Sequence, residues 1–172
     1  MRICPKLIIG RIQGKTVGGG VGIIAACDYS LATKYAEIKL SELNIGIGPF
    51  VVGPAIERKM GLSAMSQIAI DANSFYPAEW AKQKGLFTHV YDTTEALDEA
   101  VKTSAEHLCT YNTEAMLEMK KVFWKGTDDW DELLSERAQT SGRLVLSDFT
   151  KETLKKHSDG SLRTTSMTGR LL

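Results

Sequence analysis

Cysteine is scarce in these 172 residues: Cys4, Cys27 and Cys109 are odd in number and scattered. That excludes a disulfide framework as the organising device and suits free thiols in a reducing cytoplasmic setting. A charge excess is missing as well, with Lys plus Arg and Asp plus Glu both at 21. Nucleic acid and anionic membranes are held by a basic excess, so neither is expected as the main partner. A local basic patch for one small phosphorylated ligand stays compatible with this balance. No apolar run approaches the roughly 18 residues of a membrane span. Pro5 and Lys6 interrupt the start of the chain, which does not read as a secretory signal. His89, His107 and His157 have no ligand-like spacing, so no metal site is expected. What remains is the stock of one globular domain, 43% apolar and 24% charged.

The first half reads as α/β. Residues 6–12 (KLIIGRI) are short, apolar and β-branched, as in a buried strand. A turn at 13–16 and a glycine cluster follow, then a helix begun on glycines that runs to Cys27. Residues 28–33 and 37–40 read as further strands, which makes a βαβ-type unit. Beyond Ile45 the pattern is helical. Gly48 and Pro49 open a helix stopped by Gly61, and Ser63 caps a continuation to Ile70. Pro77 starts and Gly85 ends a short helix, and 86–91 is a brief strand. Thr93 or Thr94 caps a long helix to Cys109, and helices are expected over 113–124 and 130–154. Residues 158–172 carry no apolar period and read as a disordered tail.

The glycine-rich turn admits three functional readings. Gly10 to Thr16 ends in Gly-Lys-Thr, but its spacer is one residue short of a phosphate loop. Gly20-x-Gly22-x-x-Ala25 with Glu42 loosely matches a dinucleotide fingerprint, although five residues separate it from the strand. Successive glycines at a helix start also expose peptide N–H groups toward a carbonyl that gains charge, as an oxyanion hole does. The plain alternative is that the glycines only allow close helix–strand packing.

Longer blocks carry a resemblance. Residues 5–14 (PKLIIGRIQG), Gly18-Gly19-Gly20 and Cys27-Asp28 are similar to the strand, GGG turn and CD pair of the enoyl-CoA hydratase/isomerase (crotonase) superfamily. Residues 38–49 (IKLSELNIGIGP) resemble its P-E-x-x-L-G-I-I-P-G segment, and 78–81 with 85–90 its A-x-E-A and G-L-V-x-x-V blocks. The resemblance implies a crotonase-like (ClpP/crotonase) α/β fold, a spiral of βαβ units followed by C-terminal helices. It implies residues 1–110 as part of that core, 111–157 as a trimerising helical region, and a homotrimer or hexamer. Members of the superfamily are longer, so this chain is expected to lack the first third of the fold.

The resemblance also implies an acyl-CoA thioester as substrate, with CoA belonging to the substrate and no separate cofactor. An enolate is then stabilised by the Gly19 N–H and a second N–H from upstream. Gly18, Gly20, Gly22, Pro49 and Phe50 are expected to line the substrate, and Glu42 to move the proton. Hydratases hold a second glutamate two residues after GGG, where this chain has Gly22. Two carboxylates suit hydration; one suits double-bond migration. Both reactions stay open, beside a non-catalytic or truncated oligomerising subunit. Gly19 and Glu42 are expected on one cavity, and Gly22→Glu is expected to raise hydration if space allows. The chain without its upstream part is expected to catalyse neither reaction. Asp28 reads as a turn or cap residue. Lys120, Lys121 and Lys125 read as a solvated helix face or a contact to the CoA phosphates.

Overall fold

The computed structural model describes residues 1–158; the expected tail lies, from residue 159 on, outside the described residues. Strands β1 (Ile9–Ile12), β3 (Tyr29–Thr33) and β6 (His89–Tyr91) form a parallel sheet in the order β1-β3-β6. A second sheet joins β2 (Thr16–Val17), β4 (Glu37–Lys39) and β5 (Tyr76–Pro77), with β2 parallel and β5 antiparallel to β4. Helix α1 (Gly19–Ala25) is thus a crossover shared by two sheets, β1 to β3 and β2 to β4. The sequence reading expected one βαβ unit. The two residues of β2 are too few to show a strand period, and they lie where a turn was expected up to Thr16.

Helix α2 (Gly53–Ile70) is broken at Gly61, φ 80° and ψ 158°, where the sequence stops one helix and starts the next. Helices α3 (Ala78–Gln83), α4 (Thr94–Thr110) and α5 (Thr113–Phe123) follow. Thr93 caps α4 by accepting from Ala96 N–H, and Asn112 caps α5 by accepting from Ala115 N–H. The helix expected over 130–154 is two helices, α6 (Trp130–Val145) and α7 (Asp148–Ser158). The Ser147 hydroxyl accepts the Thr150 N–H at 3.3 Å and so caps the start of α7, which turns the chain there. Val21, Ile24, Ile38, Ile56, Ile68, Leu86 and Phe87 close the core. Val122, Leu146 and Phe149 stay 64–69% exposed, so α5 to α7 leave apolar surface uncovered within the single chain.

Helix α7 lies on a 3-10 turn, Glu42–Ile45, that ends in the left-handed Gly46 at φ 82°. A Cβ on Gly46 would fall 2.5 Å from the Phe149 ring and 2.8 Å from the Thr150 hydroxyl. The exposed Phe149 ring has room to swing; Thr150, fully buried, has none. Gly46→Ala is expected to cost about 1–2 kcal/mol from the left-handed backbone alone. Faster hydrogen exchange in α7 than in α4 is the accompanying sign that α7 has lifted.

Candidate functional site

The register of β2 on β4 pairs Val17 with Lys39, and the Gly18 N–H donates to the Lys39 carbonyl at 2.9 Å. That pairing sets the start of α1 beside the chain leaving β4, where Leu40 and Ser41 lead into Glu42. Gly18 caps α1 at φ 56°, a conformation that side chains disfavour. A Cβ there would also stand 3.1 Å from Glu42 Oε1. Gly18 is therefore glycine for two reasons, and the second shows the Glu42 carboxylate against the start of α1.

Glu42 Oε2 is buried and has no hydrogen-bond partner among the described residues. Burial pushes the Glu42 carboxyl above its ordinary value, and the backbone N–H groups of Glu42 and Ser41 pull back only part of the way. Gly19, the next residue after Gly18, opens α1, where first-turn N–H groups have no acceptor within the helix. A Cβ on Gly19 would meet nothing within 4 Å. Gly19 and Gly22 line a cavity of about 420 Å³ walled further by Ile23, Val51 and Val52. Glu42 is not on that wall. Glu42 lies against Gly18, the residue before Gly19; the single cavity expected for Gly19 and Glu42 is not this one, which Glu42 does not line.

Gly20 and Gly22 satisfy the packing explanation of the glycine run. A Cβ on Gly20 would lie 2.6 Å from Thr16 Cγ2, and one on Gly22 2.6 Å from Val52 Cβ and Cγ1. The space on which Gly22→Glu depends is therefore occupied by Val52. Pro49 and Phe50 are placed in the turn before α2 rather than on the cavity. The Pro49 carbonyl accepts the Gly53 N–H at 2.8 Å, and the Phe50 ring folds over Gly48. Val51 and Val52, next in the chain, do line the cavity. Sequence reasoning missed them because an apolar pair at a helix start reads as core.

Asp28 is more than a cap. Its carboxylate accepts from Ile8 N–H at 2.7 Å, Lys120 Nζ at 2.9 Å and Trp124 Nε1 at 3.1 Å. The Asp28 and Lys120 side chains are each only 4% exposed. Lys120 also donates to the Lys6 carbonyl at 2.7 Å. Lys120 is thus neither on a solvated face nor free to meet a phosphate; it ties α5 to the start of β3. Nearby, Lys59 donates to the Cys27 carbonyl at 2.9 Å, and burial lowers its pKa. Among the described residues no group of three or more His, Cys, Asp or Glu side chains is arranged to hold a metal ion. No helix among them is long and apolar enough to cross a membrane.

Comparison with known proteins bears on this arrangement. The enoyl-CoA hydratase from Mycobacterium avium matches with a TM-score of 0.82 at 22% identity, over 91% of this chain and 61% of that one. An enoyl-CoA hydratase/isomerase from Pseudoalteromonas atlantica T6c matches at TM-score 0.85 and 16% identity, over 92% and 64%. These likenesses show a crotonase-like fold, present here in part. The enoyl-CoA hydratase AKT6-1 of Alternaria alternata is 30% identical over 105 residues, 61% of this chain and 34% of that protein. The peroxisomal Delta(3,5)-Delta(2,4)-dienoyl-CoA isomerase of Arabidopsis thaliana is 33% identical over 107 residues, 60% and 37% respectively. The chain spans about a third of the length of these curated relatives. A family model described as enoyl-CoA hydratase/isomerase matches residues 1–160, and the chain belongs to that family.

Proposed function

We propose that this chain carries the proton-transfer half of an acyl-CoA site, in which Glu42 removes a proton beside a thioester carbonyl and returns it to another carbon. The Gly19 N–H stabilises the enolate oxygen formed between the two steps, together with an N–H supplied from outside this chain. One observation carries the reading: the Glu42 carboxylate sits against the glycine turn that begins α1, and its buried Oε2 has no hydrogen-bond partner among the described residues. A buried polar atom left unpaired costs about 1–3 kcal/mol, and a substrate proton gives this one a use.

The reaction favoured is double-bond migration rather than hydration. Hydration needs a held water and a second acid, whereas position 22 is a buried glycine pressed by Val52. A homotrimer or hexamer would cover the bare faces of α5 to α7. Light scattering should then report a species several times the chain's 18.9 kDa, and a monodisperse monomer would refute the assembly.

Titration of Glu42 tests the proton-transfer reading on the chain itself. Carboxyl carbon resonances should show Glu42 titrating above the exposed glutamates, and an acyl-CoA should move that midpoint again. The sign for stability follows. A folded-state value above the unfolded one means the folded chain holds the extra proton between them, so stability falls as pH rises through that window. Glu42→Gln should abolish that part of the fall and be more stable than wild type at neutral pH. A Glu42 that titrates with the exposed glutamates removes the basis of the proposal.

A further inference from the structure

We infer that the cavity beside Gly19 takes the hydrocarbon chain of the acyl group, and that Trp124 and Trp130 close its far end and limit the chain to medium length. The inference rests on the acyl-CoA reading above. Gly19, Gly22, Ile23 and Ala26 all line this cavity, at offsets of three, four and seven residues, so it runs along one face of α1. Seven residues of helix rise about 10 Å. Along α1 the cavity therefore reaches from the proposed oxyanion donor to Ala26, the C-cap of α1.

What stands at that end is fixed independently. Trp124 donates Nε1 to Asp28, two residues beyond Ala26, and so is held by the buried ion pair. Trp130 meets Trp124 edge-on, ring centroids 5.7 Å apart and planes at 90°. Leu134, one helical turn along α6 from Trp130, also lines the cavity. Val51, Val52 and Ala55 add apolar wall, and Met1 and Ile3 line it too. The charged side chains on it, Arg2 and Asp131, are paired with each other at 2.8 Å. A hydrocarbon suits such a lining, and a phosphate group does not. Trp130 and Leu134 come from α6, outside the βαβ units, so the length limit is set by a different part of the chain from the proton chemistry.

Binding to the 172-residue protein tests this, read by calorimetry and by the fluorescence of Trp124 and Trp130. Butyryl-, octanoyl- and palmitoyl-CoA are compared below the micelle concentration of the longest. Each methylene taken from water strengthens binding about fourfold, so octanoyl-CoA should bind at least about tenfold tighter than butyryl-CoA. Palmitoyl-CoA should gain nothing further, because its extra methylenes find no cavity. Trp130→Ala should make palmitoyl-CoA bind about tenfold tighter than octanoyl-CoA. Leu134→Trp, a second variant, should weaken octanoyl-CoA about tenfold and leave butyryl-CoA unchanged. Affinity that keeps rising to palmitoyl-CoA in the wild type, or equal affinity at all lengths, overturns the end wall while leaving thioester binding intact. The free fatty acids of the same lengths carry the chain without the thioester. The same length limit among the acids, with no thioester bound, overturns the acyl-CoA reading and leaves the wall standing. No length limit in either series overturns the wall.

Discussion

Asp28→Ala should destabilise the fold by about 3–5 kcal/mol, the cost of breaking a buried ion pair by removing one partner. The alanine strands the Lys120 ammonium, 4% exposed, with the Lys6 carbonyl as its remaining acceptor at 2.7 Å. It also releases Ile8 N–H and Trp124 Nε1 from their acceptor. Lys120→Met should cost less, because Asp28 keeps those two N–H donors. The double variant should cost clearly less than the sum, since a second truncation removes the charge that the first one strands. Chemical denaturation of the four proteins gives the coupling. Additive costs would mean that the pair is an incidental contact. If the inferred end wall holds, Asp28→Ala should also weaken octanoyl-CoA binding, since Trp124 loses its anchor.

How far the sequence reveals all this depends on the range over which the physics acts. Local signals are legible. The φ 80° break at Gly61, the Thr93 cap and the left-handed Gly85 all stand where single residues announce them. The spacing of a family pattern points to Glu42 as a candidate, and the one β2–β4 register that sets Gly18 beside it gives that spacing a physical basis. The Lys120–Asp28 pair was not legible. Its partners are separated by 92 residues, and a lysine on a helix ordinarily reads as solvated. The division of 130–154 into α6 and α7 rests on one serine cap, which a continuous amphipathic period conceals. Val52 was hidden for another reason: its meaning is a clash with an atom that Gly22 does not have. A negative constraint of that kind has no sequence signature until the two residues are seen together.

Glu42→Gln should lower double-bond migration by about 10²–10⁴-fold in a protein where the upstream part of the fold is supplied, the usual worth of a general acid–base group. The amide keeps the shape against Gly18 but takes no proton, so the loss should fall on kcat far more than on KM. Wild type should shift a 3-enoyl to a 2-enoyl-CoA and hydrate the 2-enoyl product poorly. The position that could hold a second acid makes a sharper test. Gly22→Glu alone should fail to raise hydration and should destabilise the chain, because its Cβ enters the space of Val52 at 2.6 Å. Overpacking of this kind costs roughly 1–3 kcal/mol. Val52→Gly removes both the Cβ and the Cγ1 in that contact and leaves the backbone Cα at 3.4 Å, an ordinary contact. The pair Gly22→Glu with Val52→Gly should therefore be more stable than Gly22→Glu alone and gain hydration over either single change. Hydration already fast in the wild type, with Gly22 in place, would overturn the one-carboxylate reaction and make water a partner of Glu42 itself. A gain in hydration by Gly22→Glu without the Val52 change would show that α1 and α2 part more easily than the 2.6 Å approach implies.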